Sequence, residues 1–546
     1  MRKKLLSAIL AAAMVVSVCA CGNTEPTTSS ESATKESEVV SSEATSQSSE
    51  VVEEEKSLYP LVDEPITVTG VMMGTKEYKD IIVWEKVAEI TGVNFEWITV
   101  DYEAINTFLS GDWDFDFIHS RDLNKTIVND YGVLGDRFVD YNEYLDLMPN
   151  LQATFEKFPE AKKIMTEINN EMYALPYIEI SATATQVRPY YRTDLLEKYD
   201  IPVPTTTEEF YQALKTYKEK NGTAGFSGRA LNENAYFGTM LYSAFGTSVQ
   251  PDFEDDGTGK VVYNRTSEQY KHYLEFMHKL YDEELMQQEY MTMDNAVAVG
   301  LATSGDTVFY GAEAHSIKAD AFADGEFHLS CLAPLTSEYS DDQEVLAQLP
   351  IANGGMYINA KSEYIEELVQ AFDIMYAEEE VVEGSGLQGM SFCYGIEGVD
   401  YIKNDDGTYE LVTPEGFTSF TEYQYGTLIV DNAGLATGLE GYITSTPGNG
   451  QARQIGFRDN VFPYACDASK VFPSAYMKFT TEEQDVITAK YTDISKHVTE
   501  MRDKFITGVV DIEEGWADYC AVLEQMGIDD VIAAYQTAYD RWNQMD

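Results

Sequence analysis

Residues that could bind a polar ligand follow an alternating stretch in the first quarter of the chain. Asp112–Ile118 alternates carboxylates with large apolar side chains, which predicts a strand with one aromatic and one acidic face. The stretch ends in a polar turn. Ligands of open α/β sheets bind beyond the carboxyl ends of the strands, so Ser120, Arg121 and Asp122 are candidate ligand-binding residues. A solvated polar loop is the alternative for this turn.

The carboxylates of this region could also serve catalysis. Asp114, Asp116 and Asp122 lie close together in the sequence. A glycoside hydrolase needs two carboxylates that face each other across the scissile bond, and sequence spacing cannot establish that arrangement. A surface glycoside hydrolase is therefore one possible function of the chain, and no catalytic residue is assigned.

Other catalytic and cofactor patterns stand in the wrong context. Gly384–Gly389 matches a dinucleotide fingerprint but follows a helix and an acidic run instead of a strand. Asp252–Gly257 begins like a calcium loop, but Tyr263 occupies the position of the bidentate acid, which favours a hairpin. The histidines lack the spacing of zinc ligands, and no GxSxG motif occurs. We therefore expect no cofactor, no metal and no enzymatic activity.

The elements that position these residues alternate between strands and helices. Ile66–Val71 is β-rich and leads to Met73, which we include among the candidate ligand-binding residues. Tyr78–Ile90 has helical spacing and stops at Gly92, and Val93–Val100 is a second strand. This order predicts an α/β fold with a parallel sheet covered by helices.

Helix signals recur further along the chain. Thr206 and Glu209 form a predicted capping box. Thr266–Leu285 is strongly amphipathic. The end of the chain, from residue 482 to 542, is predicted to be helical with breaks near Gly508 and Gly527.

The N-terminal stretch has the pattern of a secretion signal. Three basic residues precede a short apolar run, Leu5–Val18, that is too short to span a bilayer. Val18–Cys21 resembles the bacterial lipobox, in which the signal is cut before a cysteine whose thiol then carries diacylglycerol, with palmitate among the acyl chains. We expect residues 1–20 to be a signal peptide and Cys21 to anchor the chain to the outer face of the cell membrane. An ordinary signal cut nearby would leave Cys21 free.

Composition limits the partners. The chain has 546 residues and a formal charge of -56, so it would repel nucleic acid and anionic lipid, which makes a covalent anchor useful. Residues 21–56 are rich in Ser, Thr and Glu without an aromatic residue, which predicts a disordered linker. Cys331, Cys393, Cys466 and Cys520 permit two disulfides or buried free thiols.

Several short motifs share their order and spacing with one family. They are Tyr173–Pro176, Tyr191–Leu196, Pro204–Phe210, Gly395–Gly398 and Gly515–Trp542. Through them the body of the chain resembles the family-1 extracellular solute-binding proteins, the sugar-binding lipoproteins of bacterial ABC importers. The resemblance implies two α/β lobes, of the type II periplasmic-binding-protein kind, with ligand held between them by hinge closure.

The resemblance also implies how the chain divides. Residues 57–180 and 336–385 would form the N-lobe, and residues 181–335 and 386–546 the C-lobe. Crossovers between the lobes are expected near Tyr177–Arg188, Leu335–Ile351 and Glu378–Gly389.

Site residues follow from the same resemblance. Ser120, Arg121 and Asp122 would supply N-lobe groups for sugar hydroxyls, while Tyr177 and Glu179 fall at the first crossover. Tyr236 and Phe237 match an aromatic position that stacks on a sugar face, although both could be ordinary core residues.

Two positions depart from the family pattern. Glu313 and His315 stand where many relatives carry Trp, which admits a polar or amino-bearing ligand. Glu219–Gly225 is too short and too poor in carboxylates for the calcium loop of some relatives, so no such ion is expected.

The predicted function is a non-catalytic, lipid-anchored, extracellular receptor. It would capture an oligosaccharide and deliver it to the transmembrane subunits of an ABC permease, and we expect it to be a monomer. The alternatives are the surface hydrolase and a peptide-binding, adhesin or sensor lipoprotein.

Overall fold

The computed structural model describes residues 58–545 except for 74–80, 121–122, 124, 179–188, 229–237, 248–251, 312–321, 325–327, 346–350, 405–408, 418–419, 425–426, 428–459 and 467–470. Its strands are β1 (Ile66–Met73), β2 (Val93–Val100), β3 (Phe117–His119), β4 (Pro176–Ile178), β5 (Pro189–Arg192), β6 (Phe226–Gly228), β7 (Phe253–Asp255), β8 (Val261–Tyr263), β9 (Phe309–Gly311), β10 (Leu329–Cys331), β11 (Ile351–Asn353), β12 (Met356–Ile358), β13 (Tyr401–Lys403) and β14 (Tyr409–Leu411).

The α-helices are α1 (Ile82–Thr91), α2 (Ile105–Leu109), α3 (Lys125–Ile127), α4 (Pro149–Lys157), α5 (Pro159–Met165), α6 (Thr193–Tyr199), α7 (Thr207–Asn221), α8 (Gly238–Ser243), α9 (Glu268–Asp282), α10 (Asn295–Ser304), α11 (Ile365–Asp373), α12 (Ser391–Tyr394), α13 (Phe420–Tyr423), α14 (Thr481–Ile506), α15 (Ile512–Met526) and α16 (Ile528–Trp542). A π-helical turn spans Val128–Val133, and short 3-10 helices span Tyr141–Leu147, Asn264–Thr266, Tyr290–Thr292, Ile374–Tyr376 and Phe462–Tyr464. Among the helices of these described residues, none is long and apolar enough to cross a membrane.

The first sheet has the strand order β12-β3-β1-β2. β1 runs parallel to β2 and β3, and β12 is antiparallel to β3. The predicted strand–helix–strand order is confirmed, and β2 has the predicted bounds. Helix α1 ends at Gly92, whose φ of 80° lies in the left-handed region that favours glycine.

The alternating stretch before β3 is shorter as a strand than predicted. Pairing covers Phe117–His119 instead of residues 112–118. The Asp116 carboxylate accepts the backbone N–H of Thr69 at 2.7 Å, and the Asp116 N–H donates to Thr69 O at 2.8 Å. Asp116 thus bonds to β1 through its backbone and its side chain, while the ladder of paired residues begins at Phe117.

The second sheet has the order β10-β5-β9-β6. β6 and β9 are parallel, and β5 is antiparallel to β9 and β10. The hairpin predicted at 252–260 is confirmed, because β7 pairs antiparallel with β8 outside the two sheets. The Asp255 and Asp256 carboxylates accept N–H groups of that turn, which stabilise the hairpin.

Each sheet has its own hydrophobic core. The two faces of the first sheet bury residues drawn from 68–178 and 351–392, and we call this part the first lobe. The second sheet buries residues drawn from 190–345 and 461–538, and we call this part the second lobe. Leu387 and Phe392 pack in the first lobe, beyond residue 385 where its boundary was expected.

The end of the chain follows the predicted pattern. The breaks expected near Gly508 and Gly527 separate α14, α15 and α16. Buried residues of these helices, such as Val498, Trp516 and Val531, belong to the core of the second lobe. Cys520 is a free, half-buried thiol, so two disulfides among the four cysteines do not form.

Candidate functional site

The first-lobe part of the candidate site lies at the carboxyl ends of β1 and β3. Met72 pairs with His119, so Met73 and Ser120 follow at the same edge of the sheet. Met73 is buried in the core on one face of the sheet. Ser120 is 2% exposed, and its hydroxyl has no hydrogen-bond partner within the described residues. Buried polar groups are normally paired, so this hydroxyl is a candidate for a ligand contact.

Two hydrogen bonds join this edge to the first crossover strand. The Ser120 N–H donates to Gly355 O at 3.0 Å, and the Gly354 N–H donates to Leu175 O at 2.7 Å. Gly355 has a φ of 72°, which requires a residue tolerant of the left-handed region. The structure therefore brings Ser120 and the Leu175–Ile178 segment, with half-buried Tyr177, into one corner.

Two buried tyrosines that the sequence analysis did not select hold this corner in place. The Tyr376 hydroxyl donates to Pro176 O at 2.5 Å, and the Tyr141 hydroxyl donates to Met356 O at 2.7 Å. Burial raises the pKa of both hydroxyls well above the usual value, so both stay protonated donors. With 37 tyrosines in the chain, residue type alone could not have identified these two.

The second-lobe part of the candidate site lies at one edge of the second sheet. Gly311, at the end of β9, pairs with Pro189 at the start of β5 and with Gly228 at the end of β6. The segments 179–188, 229–237 and 312–321 all connect to the sheet at this edge. Those segments carry every second-lobe candidate named from the sequence.

Most of the predicted ligand residues lie outside the described residues. They are Arg121, Asp122, Glu179, Tyr236, Phe237, Glu313 and His315. Their placement at the site stays a prediction.

Asp116 is engaged in the fold instead of being available for catalysis. Its carboxylate accepts the Thr69 N–H at 2.7 Å and the Ser362 hydroxyl at 2.6 Å. Asp114 is exposed. Within the described residues, no group of three or more His, Cys, Asp and Glu side chains could hold a metal ion.

The Tyr191–Leu196 motif has a structural role. Arg192 is buried and forms two hydrogen bonds with the Asp194 carboxylate, at 2.8 and 2.7 Å, and a third to Ala302 O at 2.6 Å. Burial alone would raise the pKa of Asp194, but the Arg192 guanidinium holds it below the usual value. The motif thus fastens β5 to α10.

A cavity of about 340 Å³ lies elsewhere, between α1 and β2. The Trp84 ring, in its wall, packs 4.6 Å from Phe95 and 5.5 Å from Trp97. The lining includes Asn94, which pairs with Thr67 at the amino end of β1. This cavity contains none of the predicted ligand residues.

Comparison with known proteins identifies the family. The model for bacterial extracellular solute-binding proteins matches residues 74–382, more than half of the chain. The chain belongs to this family. A second model, for a domain of unknown function, matches residues 475–544 of this solute-binding protein.

Relatives match nearly the whole chain. The fructooligosaccharide ABC transporter substrate-binding protein FusA of Streptococcus pneumoniae is 23% identical over 504 residues, which cover 86% of this chain and 88% of FusA. The structure of a FusA EF-hand mutant with fructo-nystose has a TM-score of 0.64 at 20% identity, covering 88% and 99% of the two chains. An HMO-binding ABC transporter-associated protein of Bifidobacterium longum infantis has a TM-score of 0.68 at 18% identity, covering 89% and 100%. These similarities confirm the predicted two-lobed α/β fold of the solute-binding proteins.

Proposed function

We propose that this solute-binding protein captures an oligosaccharide between its two lobes and delivers it to the transmembrane subunits of an ABC importer. The protein acts without catalysis, as a monomer, and is anchored through Cys21 to the outer face of the membrane. The lobes close on the ligand by hinge bending at the segments that join them.

One observation carries the proposal. The similarity to a fructooligosaccharide-binding protein spans both lobes over 504 residues, so it includes both sheet edges of the candidate site. A site built from Tyr177, the buried Ser120 hydroxyl and the acidic and aromatic candidates of the second lobe suits a sugar, including one that carries an amino group. Sugars offer apolar faces to aromatic rings and hydroxyls to polar side chains.

The geometry of the joining segments supports hinge closure. β4 and β11 pair antiparallel, with Tyr177 opposite Ala352. β4 leads from the first lobe towards β5 of the second lobe, and β11 leads back into the first lobe. Because β4 and β11 pack in the core of the first lobe, a rotation where the chain leaves them for the second lobe would keep both cores intact.

Sugar binding can be tested by thermal unfolding and calorimetry of the full chain with kestose, nystose and maltotriose. A sugar present at about 100 times its Kd should raise the unfolding free energy by about 2.7 kcal/mol. Tyr177→Ala should abolish this rise, whereas Tyr102→Ala, at a residue 53% exposed in the first lobe, should retain it. A panel in which no sugar raises the unfolding temperature would refute carbohydrate capture.

The same mixtures separate a receptor from a hydrolase. Chromatography of the sugar recovered after incubation should return it intact. If the wild type releases shorter sugar fragments and Tyr177→Ala does not, the protein is a glycoside hydrolase instead of a receptor.

The anchor needs its own test in the producing cells. Incorporation of labelled palmitate and recovery in the membrane fraction should be lost in Cys21→Ser and kept in Cys19→Ser. Equal labelling of both variants would refute acylation at Cys21.

A further inference from the structure

The C-terminal helical segment, residues 475–544, belongs mainly to the second lobe. α14 packs along α9, and the Tyr535 ring stacks on Phe253 at 4.0 Å. The Tyr519 hydroxyl donates to Arg265 O at 3.1 Å, and Lys271 forms an ion pair with Glu513 at 2.9 Å. These contacts fasten the segment to the second lobe along much of its length.

The two ends of the same segment contact the first lobe. Near its beginning, the Lys478 amine lies 2.6 Å from the Glu167 carboxylate, and both side chains are about four-fifths buried, at 21% and 20% exposure. At its end, the Lys163 amine lies 5.5 Å from the centre of the Trp542 ring. Trp542 packs against the cores of both lobes. The segment therefore spans from one lobe to the other.

The two ends are tied to each other. Arg541, in the last turn of α16, donates to Lys478 O at 2.9 Å and to the Glu483 carboxylate at 2.6 Å. Thr480 and Glu483 form a complete capping box at the start of α14. The start of α14 and the end of α16 are thus bonded to each other where they contact the first lobe. A displacement of Lys478 would therefore move both helices.

This corner lies close to the candidate binding site. Tyr476, in the same corner, donates its hydroxyl to Ile351 O, in the crossover strand β11, at 3.3 Å. Lys125 follows the predicted binding turn at 120–122. Desolvation and the nearby Lys478 lower the pKa of the Lys125 amine, and Glu167 partly offsets them, so the three charges are near neighbours.

We propose that residues 475–544 act as an interlobe brace, in which the Glu167–Lys478 pair and the Lys163–Trp542 contact set the separation of the lobes in the unliganded protein. The segment is built into the second lobe and holds the first lobe at one corner beside a crossover strand. The family model that describes the solute-binding fold ends at residue 382, so this role falls to a segment without an assigned function. The brace goes beyond the proposed function and does not depend on which solute is bound.

The test is small-angle X-ray scattering of the full chain without sugar. Glu167→Gln combined with Lys163→Met removes both charged contacts from the first-lobe side and leaves every residue of the brace intact. The matched control is Glu513→Gln, which breaks the Lys271 ion pair between the same segment and the second lobe. We expect the double variant to have a larger radius of gyration and a broader distance distribution, and the control to match the wild type.

Calorimetric unfolding adds a second measure. The two lobes should unfold at temperatures that differ more in the double variant than in the control, because the brace no longer couples them. Scattering and unfolding of the double variant that equal those of Glu513→Gln would overturn the brace. Failure of every sugar in the binding panel, with the scattering difference present, would refute carbohydrate capture and leave the brace standing.

Discussion

Asp373 links the stability of the first lobe to pH. This carboxylate, at the end of α11, is 2% exposed and lies at the N-terminus of α4. It accepts the Leu151 N–H at 2.8 Å, the Asn150 N–H at 3.2 Å and the Asn150 side-chain amide at 2.8 Å. Burial nevertheless outweighs these hydrogen bonds and raises the pKa of Asp373 from 3.8 to about 6.

The sign of the effect follows from the direction of this change. The folded chain binds the proton more tightly than the unfolded chain, so Asp373 favours folding fully below pH 3.8 and loses that contribution as the pH rises through about 6. A difference of about two pKa units, at about 1.4 kcal/mol for each, corresponds to about 3 kcal/mol of unfolding free energy. The Asp373→Asn side chain cannot ionise and should not show this loss.

Urea unfolding of both proteins between pH 4 and pH 7 measures the effect. The stability of the wild type relative to Asp373→Asn should fall by about 2.5 kcal/mol over this range, since part of the effect is already lost at pH 4. Comparing the two proteins at each pH removes the contribution of the other carboxylates. A relative stability that stays constant across the range would refute the raised pKa.

Asn150→Ala provides a further check. It removes a side-chain hydrogen bond that lowers the pKa of Asp373, so the fall in stability should move to higher pH. An unchanged midpoint would show that this hydrogen bond does not contribute.

Three further predictions concern local stability, each measured by urea or thermal unfolding. Gly70→Ala should destabilise the first lobe by about 1–3 kcal/mol, because the added Cβ would lie 2.5 Å from the Phe117 ring; a neutral result would show that the ring can move aside. Gly300→Ala, in α10 with nothing within 4 Å, should stabilise by about 0.5–1 kcal/mol, and a loss of stability would contradict the open surroundings. Thr480→Ala should cost about 1 kcal/mol through loss of the capping box with Glu483, whereas an unchanged stability would make the box dispensable.

Local sequence signals predicted the elements whose partners are close in the chain. The amphipathic pattern of Thr266–Leu285 predicted a helix with one buried face, and α9 buries Tyr273, Leu274 and Met277. Glycines in the left-handed conformation ended α1 and α15 where expected. These successes share one cause, because helical periodicity and C-caps are decided within a few residues.

The two copies of the sequence Thr-Thr-Glu-Glu show where local prediction fails. At Thr480 the motif forms a complete capping box with Glu483. At Thr206 the cap accepts the Glu209 N–H, but the Glu209 carboxylate accepts instead from the N–H and hydroxyl of Thr205, at 2.8 and 2.7 Å. The predicted box at Thr206 is thus half formed, since the preceding threonine offers the carboxylate a second pair of donors.

The candidate site and the brace depend on contacts that no local pattern encodes. Glu167 and Lys478 are 311 positions apart, and neither stands in a recognisable motif. The clustering of Asp114, Asp116 and Asp122 makes Asp116 a candidate for catalysis, yet its carboxylate accepts the backbone N–H of Thr69 in a neighbouring strand. Alternation predicts the face on which a side chain lies but not the group it meets there. For this reason the sequence indicated a sheet edge as the candidate site, while the residues that hold that edge, Tyr141 and Tyr376, became visible through their hydrogen bonds.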